Sequence, residues 1–159
     1  MKELVDYVDS DDNPVSHGSR GEAAARGLYY RVSATICTDR SGKVLVYRRL
    51  PGAAVYPDHY DVLVGGSVRA GETYLDAATR ELAEELGIRT DVREVFRSRQ
   101  DSPIGPCWLA VHQASIDGPL QVDHLEIAWC SFVTQDQVLD GVLQPFVPAG
   151  REALKRLLG

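Results

Sequence analysis

The chain contains little cysteine, and its few cysteines are poorly placed for cross-linking or for binding zinc. Cys37, Cys107 and Cys130 are odd in number, lie far apart and occur in apolar, strand-like runs of the 159-residue sequence. A zinc site needs closer spacing and histidine partners. We therefore expect three buried thiols that act as small apolar side chains, in the reduced setting of the cytoplasm.

Long apolar runs and an excess of basic charge are also missing. No run approaches the ~20 residues that a helix needs to cross a bilayer, and the acidic N-terminal segment MKELVDYVDSDD lacks the apolar stretch of a signal peptide. Lys and Arg number 17 against 23 Asp and Glu, which gives a net charge of −6. We expect no membrane and no nucleic-acid duplex as partner, although a small phosphorylated ligand stays compatible, because bound metal reverses a local field.

The amino-acid composition is that of an ordinary globular protein, with 44% hydrophobic and 25% charged residues. Its length predicts one domain over 1–159, in which 1–27 adds an N-terminal strand and a short helix. Apolar alternation and turn signals predict strands over 4–9, 29–38, 44–49, 61–66, 92–98, 108–116 and 127–133. Capping and helical spacing predict helices over 20–26, 74–86, 135–139 and from Pro148 onward. This order indicates a mixed α/β layered domain.

The predicted helix 74–86 concentrates acidic residues on one side. Glu81, Glu84 and Glu85 lie within one stretch of five residues, and about 3.6 residues per turn places them together. A neighbouring side carries the residues expected to face the core, namely Leu75, Ala78, Leu82 and Leu86. Like charges at this spacing repel, so they need either solvent or a cation. Two interpretations stay open: a solvated acidic face, or a seat for a hard divalent cation, which prefers oxygen ligands.

The residues around this helix form one continuous pattern. It consists of Gly66, five residues, Glu72, seven residues, Arg80-Glu81, an apolar residue, any residue, Glu84-Glu85, any residue, Gly87 and the apolar Ile88. The pattern resembles the Nudix box at every defined position. The chain is therefore similar to the Nudix hydrolase superfamily over 66–88, and more loosely from Leu28 to the C-terminus.

The resemblance implies an α/β/α sandwich with a mixed β-sheet. It also implies an enzyme that uses Mg²⁺ or Mn²⁺ to hydrolyse a diphosphate linkage, with a nucleoside di- or triphosphate or a related nucleoside diphosphate derivative as substrate. Carried over by position, Glu81, Glu84 and Glu85 are metal ligands, and Glu81 or Glu85 assists proton removal from water. The backbone carbonyl of Gly65 or Gly66 completes the coordination shell.

Further candidates follow from the same resemblance. Glu72 and Arg80 are expected to form a structural ion pair, with direct metal contact by Glu72 and phosphate contact by Arg80 as the alternatives. Arg48 and Arg49 end a strand where relatives often carry an arginine that contacts phosphate; a solvated strand end is the alternative.

The resemblance gives weaker indications of substrate contacts outside the Nudix box. Glu126 lies where relatives place an extra acidic ligand or base, with Asp123 close by, and either could be a plain loop carboxylate. Tyr60 and Trp129 are candidates for stacking on a nucleobase, although packed aromatics are commoner. Tyr56 and His59 lie in or just after the loop where a substrate pocket is expected to open. His112 is expected to be a hydrogen-bonded core or surface histidine and not a catalyst.

Two other functions are open at this point. The N-terminal segments and YPDHYDVLVGG resemble the branch near isopentenyl diphosphate isomerase, but that enzyme needs a cysteine and a histidine where this chain has Gly65 and Ser67. A non-catalytic nucleotide-sensing domain is the third hypothesis, although such domains often lose the acidic positions kept here. A homodimer is common among relatives, and nothing in the sequence specifies one.

Overall fold

The computed structural model of the chain describes residues 3–101 and 106–159. The strands in these ranges are β1 Leu4–Val8, β2 Pro14–Ser19, β3 Tyr30–Thr38, β4 Val44–Arg49, β5 Tyr60–Asp61, β6 Val64–Ser67, β7 Arg93–Gln100, β8 Cys107–Ser115 and β9 Ile127–Val133. The helices are α1 Tyr74–Leu86, α2 Gln135–Leu139 and α3 Pro148–Leu158, and two short 3₁₀ turns cover Arg20–Glu22 and Ala24–Arg26.

Strand β3 is the centre of a mixed sheet. It pairs antiparallel with β6 and parallel with β8, whose other edge pairs antiparallel with β7. Strand β4 joins this sheet through the Thr38–Val44 pair and carries β5 and β9, both antiparallel. The prediction of a mixed α/β fold with a mixed sheet is confirmed.

The two faces of the sheet bury different helices. Successive strand residues point to opposite faces, so Ile36 and Cys37 of β3 belong to different apolar clusters. Leu82 of α1 packs in the cluster with Cys37, and Leu154 of α3 packs in the cluster with Ile36. Helix, sheet and helix therefore form three layers.

The β1–β2 hairpin is a separate two-stranded sheet that is pinned to the main layers at its turn. Asp12 in this turn has a positive φ of 65° and a carboxylate that is almost fully buried. It accepts hydrogen bonds from Arg31 Nε at 2.8 Å, Arg97 Nη1 at 3.0 Å and Tyr74 Oη at 2.9 Å. One carboxylate thus ties the hairpin to β3, β7 and the start of α1.

Three expectations about the elements are wrong in detail. Segment 20–26 forms two 3₁₀ turns instead of one helix, and the Ser19 side chain makes no capping bond, because only a few residues separate the end of β2 from the left-handed Gly27. Strand β2 has no counterpart among the predictions, since its PVSHGS sequence is exposed and polar. Segment 61–66 is split because Asp61 Oδ1 takes the N–H groups of Val62 and Leu63.

Helix α1 has the predicted bounds but a rotated apolar face. Thr73 and Asp76 form a reciprocal capping box at its start, and Gly87, at φ 66°, ends it. Leu75, expected in the core, is 51% exposed, and Tyr74 is buried instead. The rotation leaves the acidic residues of the last two turns facing the edge of β6.

Gly87 and Gly71 give a matched test of how α1 ends. Both have positive φ, but a Cβ on Gly87 would lie 2.7 Å from Gln121 Cβ, whereas a Cβ on Gly71 meets nothing within 4 Å. Gly71→Ala should cost about 1 kcal/mol from backbone strain alone. Gly87→Ala should cost about 2–3 kcal/mol, because the loop at Gln121 must also move. Urea unfolding at equal m-value measures both, and equal losses would contradict the steric argument.

Candidate active site

A cavity of about 1190 Å³ lies where the end of α1 meets the sheet. Its wall comes from strand residues, from the loop 50–56, from α1 and from the loop that precedes β9. That last loop is held to the end of α1, since the N–H groups of Gln121 and Asp123 donate to the carbonyls of Leu86 and Glu85 at 2.8 and 2.9 Å. The carboxylates of α1 and those of this loop therefore face one space.

The acidic wall of the cavity is crowded with like charge. Burial raises the pKa of Glu85 to about 9, reinforced by the neighbouring Glu81, Glu126 and Glu84 and opposed by Arg49. Burial also raises the pKa of Glu81, against the effect of Arg80. The Glu84 side chain is half exposed. The structure therefore brings together all the acidic candidates of α1 and adds Glu126 to them.

Arg80 organises this wall through all five of its N–H groups. Nε and Nη2 bond the two carboxylate oxygens of Glu72, each at 2.9 Å, and Nη2 also bonds the carbonyl of Ser67 at 3.1 Å. Nη1 bonds Glu81 Oε1 at 3.0 Å and Glu84 Oε2 at 3.4 Å. The pKa of Arg80 is raised, mainly by Glu72, and the pKa of Glu72 is lowered, mainly by Arg80. No guanidinium donor is left over for a phosphate.

Gly66 lets strand β6 pass close to α1. A Cβ at this position would lie 2.6 Å from Glu81 Oε1, so a side chain cannot be added without displacing that carboxylate. Gly65 lines the same cavity one residue earlier. Gly66 is therefore adjacent to the acidic wall, as the ligand hypothesis for its carbonyl requires, whereas Gly65 packs against Ser33 and Ala34 of β3.

The acidic wall offers the kind of ligand that a hard divalent cation prefers. Its ligands are carboxylate oxygens, and a cation would relieve their mutual repulsion. Within residues 3–101 and 106–159, however, no group of three or more acidic, His or Cys side chains is already gathered around one point. Arg80 holds Glu81 through Oε1, so the other carboxylate oxygen can act as a ligand while that bond is kept.

The two candidate arginines of β4 point in opposite directions. Arg49 lines the cavity, and its Nε donates to the Val55 carbonyl at 3.0 Å. Arg48 lies on the outer face, 3.5 Å from an Asp58 oxygen and over the ring of Tyr60. Tyr60 in turn meets Trp129 edge-to-face at 5.8 Å between centroids. Among the substrate candidates, the structure places Arg49 and Glu126 at the cavity, and places Arg48 and Tyr60 away from it.

Arg20 and Asp61 are among the cavity residues that the sequence analysis missed. Arg20 reaches the cavity from the first 3₁₀ turn and donates to Ser67 Oγ at 3.3 Å. Asp61 lines the cavity with only 5% of its surface exposed, and burial raises its pKa to about 6. The available signal for Asp61 was an acidic residue inside the apolar run YDVLV; Arg20 had no signal beyond its charge.

A family model for the NUDIX domain matches residues 29–157. The chain belongs to the Nudix family. An uncharacterized Nudix hydrolase of Pseudomonas aeruginosa is 39% identical over 98% of this chain and 94% of its own length. A Streptomyces coelicolor Nudix hydrolase, also uncharacterized, is 39% identical over 98% of this chain and 88% of its own. The expectation of a Nudix hydrolase, a pyrophosphohydrolase by class, is confirmed.

Solved structures support the Nudix fold. The crystal structure of a Deinococcus radiodurans protein has a TM-score of 0.81 at 24% identity and covers 97% of this chain and 98% of its own. The NUDIX domain of Shewanella oneidensis NrtR, solved with ADP ribose, has a TM-score of 0.65 at 12% identity, over 80% of this chain and 84% of its own. At these identities the likeness concerns the fold alone.

The other residues considered in the sequence analysis differ in whether they line the cavity. Tyr56 lines the cavity, and His59 packs against it outside. His112 is fully buried; its Nδ1 lies 3.2 Å from the Ala34 carbonyl, and its Nε2 has no partner among the described residues. The cysteines are free, two of them buried and Cys130 partly so. In the described ranges, no helix is long and apolar enough to cross a membrane.

Arg80→Lys tests how the acidic wall is held. Lysine keeps the charge but cannot reproduce the two-pronged bond to Glu72, so we expect a loss of about 2 kcal/mol in unfolding free energy. The matched control is Arg40→Lys, since the Arg40–Asp117 pair is largely exposed and its loss should change stability little. Chemical denaturation measures both. Equal effects would show that the fork is not a structural element.

Asp61 gives a pH-dependent prediction. Its pKa rises from the usual 3.8 to about 6 on folding, so the folded state holds this proton more tightly. The resulting stability is fully present below about pH 4 and is lost as the pH rises through about 6. Because asparagine does not titrate, the unfolding free energy of the wild type minus that of Asp61→Asn should fall by up to about 3 kcal/mol across this window. A difference that rises with pH would contradict the assignment.

Proposed function

We propose that this Nudix chain hydrolyses a diphosphate linkage in a nucleoside di- or triphosphate or a related nucleoside diphosphate derivative. The observation that carries the proposal is one cavity with two kinds of charge. Its acidic wall consists of the carboxylates of α1 with Glu126, and Arg20 and Arg49 reach the same space. Among the described residues, neither arginine has a carboxylate oxygen within 4.0 Å, so both can offer donors to phosphate oxygens.

We propose Mg²⁺ or Mn²⁺ as the cofactor, held by Glu81, Glu84 and Glu85 with a carbonyl of Gly65 or Gly66. Held there, the ion would neutralise phosphate oxygens and would lower the pKa of a water molecule toward 7. The donor chemistry supports this set, and so does the close approach of β6 to Glu81 at Gly66.

The protein's own groups then have separate tasks. Arg20 and Arg49 orient the phosphates, and Arg80 keeps the acidic side chains in place through its hydrogen bonds to them. Glu81 or Glu85 takes a proton from the attacking water as its oxygen bonds to phosphorus and the bridging P–O bond breaks. The products are the two phosphorylated fragments, and the proton leaves with solvent.

The described part of the cavity argues against the isomerase alternative. That reaction needs a thiol beside the box, and none of Cys37, Cys107 or Cys130 lines this cavity. Burial raises the pKa of Cys37 and of Cys107 to about 12, which keeps both thiols protonated. Three free cysteines also support our proposal of a reduced, cytoplasmic location.

Glu85→Gln tests the hydrolase. This change keeps the shape of the side chain but removes a ligand charge, so we expect hydrolysis to fall at least a hundredfold while the circular dichroism spectrum is unchanged. Release of phosphate and pyrophosphate from a panel of nucleoside diphosphate derivatives, with Mg²⁺, Mn²⁺ or a chelator, measures the rate. The matched control is Glu152→Gln on the exposed face of α3, which should keep full activity.

A different pattern would favour a sensor. If the wild type and Glu85→Gln bind a nucleotide equally and neither turns it over with either metal, the hydrolase proposal fails. The Shewanella NUDIX domain was solved with ADP ribose, so this compound belongs in the panel.

A further inference from the structure

The cavity lining has an apolar end besides its acidic wall. Most residues of the apolar end belong to the cluster packed against α3, and they are Val32, Ala34, Leu63, Leu109, Val147 and Ala149. Within this lining, Asp61 and Tyr47 bring polar atoms to the cavity from β5 and β4. A mostly apolar pocket with a few fixed polar atoms is the usual design of a site that orients an organic ligand.

One oxygen of Asp61 is saturated, and the other is not. Oδ1 accepts from the N–H groups of Val62 and Leu63 at 2.8 and 3.2 Å. Oδ2 lies 3.3 Å from Tyr47 Oη, whose single hydrogen has a shorter bond to the Leu63 carbonyl at 2.6 Å. No other described donor lies within hydrogen-bond distance of Oδ2. A buried carboxylate oxygen without a strong donor is costly, and a ligand N–H would relieve that cost.

Arg49 connects this end with the acidic wall. Arg49 lines the same cavity as Asp61 and Glu85, and its charge lowers the pKa of both carboxyl groups. A ligand whose phosphates bind at Arg49 and the acidic wall would therefore extend its organic group toward Asp61. The cavity, at about 1190 Å³, is large enough for a nucleotide.

We propose that Asp61 Oδ2 accepts a hydrogen bond from the exocyclic amino group of a nucleobase, so that the enzyme prefers amino-bearing bases over their oxo counterparts. This inference rests on the proposed nucleotide hydrolysis and names its substrate class. A carboxylate can only accept, so an oxo group in the same place would set two acceptors against each other. Sites built to bond one ligand group discriminate strongly against analogues that lack it.

Paired substrates test the proposal, because they exchange this amino group for an oxo group and, with it, add a proton to the adjacent ring nitrogen. The wild type should show kcat/KM at least about tenfold higher for cytidine than for uridine triphosphate, and likewise for adenosine than for inosine triphosphate. Asp61→Asn keeps the Oδ1 acceptor but presents an N–H₂ donor in place of Oδ2, so the preference should vanish or reverse. The matched control is Asp58→Asn, whose carboxylate pairs with Arg48 on the outer face and should leave the preference unchanged.

The outcomes separate this inference from the proposed function. If the wild type hydrolyses both members of each pair equally well, the inference is overturned and hydrolysis stands, whether or not Asp61→Asn folds. If Asp61→Asn slows both members alike, Asp61 is only structural and the inference is again overturned. If no substrate is turned over, the hydrolase proposal fails, and the dissociation constants of cytidine and uridine monophosphate decide: a preference for cytidine that Asp61→Asn removes supports the role of Asp61, and equal constants overturn it.

Discussion

The guanidinium of Arg80 is the contact on which the acidic wall depends. Its planar fork bonds Glu72, Glu81 and the Ser67 carbonyl at once, and these three groups come from the loop before α1, from α1 itself and from β6. A buried carboxylate is costly unless it is paired. Arg80 supplies that pairing for Glu72, Glu81 and Glu84, and so offsets part of the like charge around Glu85. One side chain thus joins the loop, the helix and the strand.

The helix and the grouping of its acidic residues were predictable from the sequence because both depend on local spacing. The bounds of α1, β9 and α2 agree with the patterns that predicted them, since caps and apolar periods are encoded within a few residues. The spacing also placed Glu81, Glu84 and Glu85 on one segment. The rotation that exposes Leu75 and buries Tyr74 was not predictable, because the bond of Tyr74 to Asp12 spans 62 positions of the chain.

Residues of the site outside the box depend on long-range contacts, and there the sequence was less informative. Arg48 and Arg49 are equivalent as neighbours in a sequence, but a strand sends them to opposite faces, and only the sheet decides which face meets the cavity. Asp61 looked like a strand residue because its apolar neighbours dominate the pattern. Its carboxylate accepts hydrogen bonds from two backbone N–H groups and interrupts the strand that it was expected to begin.

The hairpin held by Asp12 lies outside the family-matched residues, which begin at position 29. The hairpin is nevertheless followed directly by the turn that carries Arg20. Glu3, just before its first strand, accepts a hydrogen bond from Arg69, and both of these residues line the cavity. The residues that the family model matches therefore do not include every residue that lines the cavity. A chain trimmed to residues 29–157 would keep the acidic helix and lose Glu3 and Arg20 from the wall of the cavity. The N-terminal hairpin is therefore part of what shapes the cavity beside the acidic helix.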